Sequence, residues 1–377
     1  MSPKLPNKVR VLFVLYKIGD AEILGPVIRK AVAEPRLKVT ICVRRKLWES
    51  AEPLCTHAKA HGATIMRNRQ AGFTLLRAWG LRNYDVLLTG TESSIPSHSL
   101  GHRLTERANQ LGLETATIQQ GLENVGLTYF DEKHDTSVRF ASKTIYIWGA
   151  REHLPKETPA ETRRKCLPVG FPKPSYRDSA ADGDVVSIFE NLHWHRYNSA
   201  YRKGFFVDLA KLAEHFPDNR FVLKPHPKGL WALKHPCPCH LPANLVVAGR
   251  PGGEAPACAL TSRDLICRSR KVISTPSTVA LDAALLDKDV AIYGGGIDVG
   301  YYRDLEILRT ADDWIRFVSG DDFTEQSRRF RERVTIAGDA AERIVSSLLK
   351  GRETAPVPQA RLRGLPKESA PVSQPHM

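Results

Sequence analysis

The sequence lacks long apolar runs. Among its 377 residues, of which 42% are hydrophobic and 25% charged, no stretch reaches the roughly 18 consecutive apolar residues that a membrane-spanning helix requires. The first residues are not followed by the apolar core and cleavage site of a signal peptide, because residues 11–16 form only a strand-length run. These absences predict a cytoplasmic protein of ordinary globular composition, long enough for two domains.

Cysteine is sparse and shows no pairing pattern. The chain holds seven cysteines, an odd number scattered along the sequence, and this distribution favours free thiols over a disulfide framework. The run Cys237-Pro-Cys239-His240 resembles half of a metal site. Because no second pair of Cys or His stands at the usual zinc spacing, a loop with incidental thiols is the better interpretation, and we predict no bound metal.

Two kinds of recognition motif are also missing. The turn after the first strand lacks the Gly-x-Gly-x-x-Gly fingerprint, which argues against an NAD enzyme. Zinc-finger, helix-turn-helix and RNA-binding aromatic motifs are absent, so nucleic acid is not an expected partner. The chain nevertheless carries 55 Lys and Arg against 41 Asp and Glu, a formal net charge of +14. This excess favours an anionic partner, although a generally basic solvated surface would give the same total.

Short apolar strands alternate with amphipathic helices of roughly 10–15 residues, a pattern typical of α/β proteins with parallel sheets. A proline-rich stretch that begins at Gly170 and continues through small polar residues to Gly183 separates two such series. We therefore predict two Rossmann-like domains that face a cleft, at residues 1–172 and 180–350. The remaining residues, 351–377, hold five prolines and little apolar content, which predicts a disordered tail.

Three local predictions are specific enough to test. Residues 17–20 are predicted to form a loop between the first strand and a helix that ends near Ala33. Residues 305–317 and residues 325–349 are each predicted to be mostly helical, because apolar residues recur there at helical spacing.

A histidine bracketed by prolines follows one strand of the second domain. In the run Phe221-Val-Leu-Lys-Pro-His-Pro-Lys-Gly229, an apolar triplet ends in Lys224, His226 and Pro227. The prolines restrict the backbone and disfavour helix, so the histidine is held on a rigid, extended turn. Ligands bind at the carboxyl edge of a parallel sheet, and a histidine beside a lysine there could bind phosphate. A purely structural His-Pro turn is the alternative.

A later strand of the same domain ends in four hydroxyl-bearing residues ahead of an apolar helix: Ser274, Thr275, Ser277 and Thr278. Serine and threonine cap helix N-termini well, and the N–H groups there attract phosphate. Together with His226 they predict a site for the phosphate of a nucleotide-activated donor, and therefore a transferase. Ordinary helix capping without a ligand is the alternative.

A third loop of the second domain contains two histidines and an arginine. His193, His195 and Arg196 follow the strand that begins near Val185. They could contact the phosphate or a sugar acid of the donor, but they lack a third ligand for a metal. A loop without function is the alternative.

Amide and acidic residues follow the strands of the first domain. Residues 119–124 supply three predicted contacts to an acceptor molecule, Gln120, Gly121 and Asn124. The candidate general bases are Glu123 in the same run, Asp20 and Glu92. A polar turn is the alternative interpretation of residues 119–124.

The second-domain motifs resemble a known family. Residues 272–293 are similar to the nucleotide-binding segment of the CDP-glycerol glycerophosphotransferases of teichoic acid and capsule synthesis. The Lys224-Pro-His-Pro227 run resembles the His-Pro motif of that family and of bacterial sialyltransferases, polysialyltransferases and capsular Kdo transferases. The likeness is specific over residues 220–295 only. It departs from the pattern where Ser277-Thr278 replaces a Ser-Ser pair and where Asp289 replaces the usual proline.

This resemblance implies the two-domain GT-B glycosyltransferase fold and a cytidine-nucleotide donor whose phosphate contacts His226, Ser277 and Thr278. Taken with the motifs, the resemblance implies a metal-independent glycosyltransferase, or polyol-phosphate transferase, of bacterial surface-polysaccharide assembly such as capsule or lipopolysaccharide. Its donor would be a CMP- or CDP-activated sugar or polyol, its acceptor a glycan or lipid-linked molecule, and it would need no cofactor.

The basic charge suits a peripheral enzyme at an anionic inner-membrane surface. Three alternatives to this reading stay open. They are a UDP-sugar transferase of the same fold, a nucleotide-sugar 2-epimerase, and a non-catalytic protein that binds a nucleotide sugar.

Overall fold

The computed structural model describes residues 8–68, 78–130, 138–173, 183, 185–227, 229–249, 260–320 and 322–353. These residues form two parallel sheets flanked by helices. The predicted fold class, α/β with two Rossmann-like domains facing a cleft, is confirmed.

The first domain contains seven strands and five helices among its described residues. The strands are β1 (Val9–Leu15), β2 (Leu37–Arg44), β3 (Thr64–Asn68), β4 (Val86–Thr89), β5 (Glu114–Ile118), β6 (Thr144–Ile147) and β7 (Cys166–Pro168). The helices are α1 (Ile18–Ala33), α2 (Trp48–Ala60), α3 (Ala78–Leu81), α4 (Ser99–Gln110) and α5 (Ala160–Lys165). The strands pair in parallel in the order β3-β2-β1-β4-β5-β6-β7.

The second sheet has six strands. They are β8 (Val185–Glu190), β9 (Arg220–Pro225), β10 (Leu245–Val247), β11 (Ser269–Ser274), β12 (Asp289–Tyr293) and β13 (Glu306–Leu308). The helices in this half of the chain are α6 (Ser199–His215), α7 (Trp231–Lys234), α8 (Ser262–Cys267), α9 (Val279–Ala284), α10 (Ala311–Ser319), α11 (Thr324–Val334) and α12 (Ala340–Glu353). The strands pair in parallel in the order β10-β9-β8-β11-β12-β13.

Both sheets have a topological switch point. In the first sheet β1 and β4 lie side by side. From β1 the order runs outward through β2 and β3, and from β4 it runs in the opposite direction through β5, β6 and β7. In the second sheet β8 and β11 are the corresponding pair. Helices cover both faces of such sheets, so the central strands are mostly apolar, and β4 and β8 are buried at every position. The carboxyl ends of strands at a switch point are the usual place for a ligand.

The last helix, α12, returns to the first domain. The Arg343 guanidinium donates to the carbonyl of Val169 (2.9 Å), and the Tyr146 hydroxyl bonds to that of Ser347 (3.1 Å). Apolar residues of α12, including Ile344, belong to the same buried cluster as the residues of α1. The chain therefore crosses between the domains twice.

The first two local predictions need correction, and the third is confirmed. Residues 17–20 are not a loop, because α1 begins at Ile18, where the Asp20 carboxylate accepts hydrogen bonds from the backbone N–H groups just before the helix. Residues 305–317 contain strand β13 before α10, since a three-residue segment with two apolar side chains fits an edge strand as well as a helix. Residues 325–349 are mostly helical, as predicted, and belong to two helices, α11 and α12, with Gly338 between them at a φ of +99°.

The predicted first domain ends at residue 172, just before residues 174–182, and the predicted start of the second domain, residue 180, falls within this segment, which is outside the described residues. Within the predicted tail, residues 351–353 complete α12, and residues 354–377 are outside the described residues. Among the helices that the structure describes, none is long and apolar enough to cross a membrane.

Candidate functional site

The carboxyl edges of both sheets face a cleft between the two domains. A cavity of about 660 Å³ occupies it, which is within the range of roughly 300–1,000 Å³ usual for small-molecule sites. The two walls come close together at Gly121 of the first domain. A Cβ added there would lie 3.6 Å from Thr278 Oγ1 of the second domain. The predicted site residues that line the cavity are Gln120, Gly121, Glu123, His226, Pro227, Ser277 and Thr278.

His226 lies on the second-domain wall, one residue past the end of β9. Its backbone N–H donates to the carbonyl of Glu190 (2.9 Å), and its carbonyl accepts from Gly229 and Leu230 (3.1 and 2.8 Å). The imidazole packs against that of His193, with ring centroids 4.8 Å apart. A side chain at Gly229 would collide with His193, since its Cβ would lie 2.3 Å away. Backbone bonds and ring packing thus hold His226 toward the cleft.

A buried carboxylate holds this edge of the second domain together. The Glu190 side chain accepts hydrogen bonds from the backbone N–H groups of Leu192 (2.7 Å) and Ala232 (3.3 Å). Burial raises the pKa of Glu190, and the backbone donors lower it. The carboxylate thereby joins the loop after β8 to α7, the helix that follows His226. Glu190 is not among the predicted site residues, although an acid at the end of a buried strand is a signal that could have found it.

The four predicted hydroxyl residues divide into two pairs. Ser274 and Thr275 are fully buried; Ser274 Oγ donates to the Thr275 carbonyl (2.7 Å), and Thr275 Oγ1 accepts from the backbone N–H of Asn191 (2.9 Å). Ser277 and Thr278 line the cavity. The first pair therefore joins the loops after β11 and β8, and the second pair is placed to meet a ligand.

Four other predicted donor-binding residues lie outside the cavity lining, and one of them is His193, whose ring packs against that of His226. Lys224 Nζ donates to the carbonyl of Leu260 (2.6 Å), just before α8. His195 is exposed at the rim, where its ring meets that of Trp194 edge-on. Arg196 is mostly buried and pairs with Glu123. Lys224 thus supports the segment that brings α8 to the cleft.

Asp20 ties together three loops of the first domain. Its carboxylate accepts hydrogen bonds from the backbone N–H groups of Tyr16 (2.6 Å) and Lys17 (2.8 Å), from the Thr91 hydroxyl (2.6 Å) and from the Gln120 amide (2.8 Å). Burial raises its pKa, and these donors lower it. Asp20 is fully buried, so it orients Gln120, which lines the cleft, without lining the cavity itself.

Glu92 and Asn124 also serve the first domain's own structure. The buried Glu92 carboxylate accepts from the imidazole of His102 (2.5 Å), the backbone N–H of Ala141 (2.8 Å) and the hydroxyl of Ser142 (2.9 Å). Its hydrogen bond raises the pKa of His102. Asn124 Oδ1 accepts from the backbone N–H of Gln120 (3.1 Å). The structure does not bring Glu92 to the cleft.

Glu123 is the predicted base that does line the cavity. One guanidinium nitrogen of Arg196 donates to both of its carboxylate oxygens, at 2.9 and 2.8 Å. Burial raises the pKa of Glu123, and Arg196 lowers it. A carboxylate has about four lone-pair positions, so this contact leaves capacity for a further hydrogen bond from the cleft.

Four charged cavity residues are absent from the predicted site. Lys173 lies between Glu22 of α1 and Asp282 of α9, at 3.6 and 3.4 Å from their carboxylates. Burial raises the pKa of Asp282, and Lys173 lowers it. Arg263, in α8, lines the cavity near them. Each residue is unremarkable in its own sequence neighbourhood, and the domain arrangement alone brings them together.

Two buried polar atoms of the cavity lining have no hydrogen-bond partner among the described residues. They are the side-chain oxygen of Asn191 and the hydroxyl of Tyr302. Buried polar groups in proteins are nearly always paired, so these two atoms have unused hydrogen-bonding capacity that an ordered water or a ligand can meet. In the part of the chain that the structure describes, no three His, Cys, Asp or Glu side chains are grouped to hold a metal ion.

No protein-family profile and no curated protein match this chain. Solved structures do match it over nearly its whole length. A structure of S. aureus MnaA with UDP superimposes with a TM-score of 0.61 at 13% identity, over 93% of this chain and 98% of that one. The UDP-GlcNAc 2-epimerase from Neisseria meningitidis bound to UDP-GlcNAc gives 0.56 at 14%, over 91% and 100%.

A glycosyltransferase of kitacinnamycin gives a TM-score of 0.57 at 12% identity, over 92% of this chain and 99% of that chain. At such low identities these likenesses establish the fold alone. The chain has the GT-B arrangement of two Rossmann-like domains, as predicted.

Proposed function

We propose that this protein is a nucleotide-sugar-dependent enzyme, and specifically a transferase that passes a sugar or polyol phosphate from an activated donor to an acceptor hydroxyl. The observation that carries the proposal is that the two walls of the cleft present different chemical groups. Its second-domain wall presents His226, Arg263 and the hydroxyls of Ser277 and Thr278, whereas its first-domain wall presents Glu123.

The second-domain wall suits a leaving nucleotide. As the bond to the transferred group breaks, negative charge develops on the phosphate oxygen, and preorganised donors in a water-poor site stabilise it strongly. An imidazole, a guanidinium and two hydroxyls can supply those hydrogen bonds. Because protein groups take this role, we expect turnover without a metal or cofactor.

The first-domain wall suits the acceptor. Of the three candidate bases Asp20, Glu92 and Glu123, we assign the role to Glu123 because it lines the cavity. Its carboxylate would take the proton of the acceptor hydroxyl, and Gln120 and Gly121 would contact the acceptor beside it. General base catalysis of this kind contributes about 10²–10⁴-fold.

The donor we propose is a CMP- or CDP-activated sugar or polyol, and the pathway is bacterial surface-polysaccharide assembly. The support for cytidine is the resemblance of residues 220–295 to cytidine-nucleotide transferases. UDP is the competing nucleotide, since MnaA and the Neisseria epimerase are structures with UDP or UDP-GlcNAc. A nucleotide-sugar 2-epimerase is the second candidate function because proteins of that name share this fold.

The test is a thermal-shift panel of CMP, CDP, UMP, UDP, GDP and ADP, followed by product analysis with the donor alone. A ligand at a hundredfold excess over its Kd stabilises the native state by about 2.7 kcal/mol. We expect CMP or CDP to shift the transition and the donor to remain unconverted until an acceptor is added. Stabilisation by UDP with 2-epimerised product would replace the transferase by an epimerase. Binding without any turnover would leave a nucleotide-sugar-binding protein.

We further propose that the first domain rests on an anionic bilayer carrying a lipid-linked acceptor. The basic face comprises exposed Arg45, Lys46 and Arg67 at the carboxyl ends of β2 and β3. Arg67 lies over the ring of Trp48 (3.2 Å), and the Ile18 side chain, which follows β1 at the same edge of the sheet, is 62% exposed. Each basic residue at an anionic surface contributes about 1 kcal/mol. Equal partition onto anionic and neutral vesicles would exclude this placement.

A further inference from the structure

An ion pair joins the two domains at the wall of the cleft. Glu123 follows β5 of the first domain, and Arg196 lies in the loop after β8 of the second. The guanidinium contacts both Glu123 oxygens at 2.8 and 2.9 Å and donates through its other terminal nitrogen to the carbonyl of Asp298 (2.8 Å). Both carboxylate oxygens of a cleft residue in one domain are thus held by the other domain.

Aromatic rings from both domains shield the pair. The Arg196 guanidinium lies 5.3 Å from the ring centroids of Tyr129 and Trp194, and 5.9 Å from that of Tyr197. The side chains of Arg196 and Glu123 are only 13% and 8% exposed. Tyr129 belongs to the first domain and the other two rings to the second, so this shielded geometry exists only while the domains are together.

A shielded ion pair differs from one on the surface. Breaking a buried pair by removing one partner leaves an uncompensated charge, which is strongly unfavourable. Moving the domains apart would separate Glu123 from Arg196 and let water reach the carboxylate. The position and the charge of Glu123 are therefore both coupled to closure of the cleft.

We propose that Arg196 is a positioning residue that holds Glu123 in its working place, so that the candidate base is assembled only when the two domains are closed. The part of this inference that concerns catalysis rests on the proposed function, whereas the part that concerns closure does not. Arg196 would act through Glu123 and touch neither donor nor acceptor.

The groups around Glu123 make its titration interpretable. Those that interact with its charge are Arg196, Asp298 and the phenols of Tyr197, Tyr201, Tyr301 and Tyr302, while Tyr129 faces its partner Arg196. Burial raises the pKa of Tyr301 to about 12 and that of Tyr302 further, so neither phenol titrates near neutrality. Removing Arg196 takes away the charge that lowers the pKa of Glu123, while burial in the closed complex continues to raise it.

The experiment compares the wild type with Arg196→Met, Arg196→Lys and Glu123→Gln. The pH dependence of kcat reports groups in the closed enzyme–substrate complex. Since an opposite charge at this distance lowers a carboxyl pKa by about 1–3 units, Arg196→Met moves the acidic limb to higher pH by about that amount. Arg196→Lys restores most of the shift, because the positive charge returns. An acidic limb that stays in place in Arg196→Met overturns the positioning role.

Closure is measured separately by small-angle X-ray scattering of the ligand-free full chain. Arg196→Met and Glu123→Gln both increase the radius of gyration, and saturating nucleotide reverses the increase. Arg316→Met is the matched control, because Arg316 pairs with Glu306 at 2.9 Å on the surface within one domain and its side chain is 60% exposed. Unchanged scattering in both cleft variants overturns the inference. If no donor is turned over, the proposed function fails and the scattering alone decides the closure.

Discussion

The loops at the carboxyl edge of the first sheet are tied together by one buried carboxylate, that of Asp20, and Glu190 does the same for the second sheet. Asp20 accepts from side chains of two other loops, those of Thr91 and Gln120, and from its own loop's backbone. Glu190 accepts from backbone N–H groups, including that of Leu192. A carboxylate in a low-dielectric setting makes strong hydrogen bonds with such donors.

The two edges nevertheless offer the cleft different chemistry. The first presents a carboxylate and an amide, Glu123 and Gln120, while the second presents His226 and Arg263. Similar supports therefore hold an acidic wall against a largely cationic one, with Asp282 as the exception on the cationic side. The carboxylates that hold the loops together, Asp20 and Glu190, are therefore different residues from the groups that face the cleft. Substitutions can test whether the two sets act separately.

The largest expected effect is on the cationic wall. His226→Ala removes a donor to the leaving phosphate, and loss of one such donor typically lowers kcat by about 10²–10³-fold. Because the turn is held by backbone bonds and not by the imidazole alone, we expect the melting temperature to change little. Steady-state kinetics with the donor identified by the nucleotide panel, together with thermal unfolding, measure both quantities.

His195→Ala is the matched control, since His195 is exposed in the neighbouring loop and outside the cavity lining. Its activity should stay close to that of the wild type. If His226→Ala retained near-normal activity, the cationic wall would not be the donor site. An equal loss in both variants would mean that the loops, and not the imidazole at the cleft, carry the effect.

Much of the fold could be predicted from the sequence because buried parallel strands are recognisable one at a time. Strand ends with polar residues located both carboxyl edges, including residues 119–124 and the turn at His226. Short edge strands were harder: β13 has three residues, and its apolar spacing also fits a helix. Strands β7 and β10 also have three residues each, too few for a strand pattern to be recognised.

The site could be predicted only where a short local sequence pattern marks its residues. Arg196 was expected at the donor, but its partner Glu123 is 73 residues away in the chain and in the other domain. Lys173, between Glu22 and Asp282, was missed because its role depends on three separate segments meeting. Nothing in a local pattern encodes such meetings, whereas a strand end or a cap is encoded within a few residues.

The smallest expected effect comes from a substitution that crowds the Asp20 carboxylate without replacing any charged residue. Gly90 lies where a Cβ would be 2.5 Å from Asp20 Oδ1, while a Cβ on Gly121 would be 3.6 Å from Thr278 Oγ1. Asp20 is fixed by its hydrogen bonds and cannot move aside, so Gly90→Ala should destabilise the protein by about 1–3 kcal/mol, the usual cost of overpacking. Urea unfolding measures the difference.

Gly121→Ala is the matched variant, because its Cβ would make an ordinary contact. An alanine that fits the native backbone reduces the freedom of the unfolded chain and stabilises by about 0.4–1 kcal/mol. The two substitutions should therefore move the free energy of unfolding in opposite directions. A Gly90→Ala protein as stable as Gly121→Ala would show that the Asp20 carboxylate can shift at little cost. The tie between the loops of the first domain would then be weaker than the hydrogen bonds indicate, and the orientation of Gln120 would need another support.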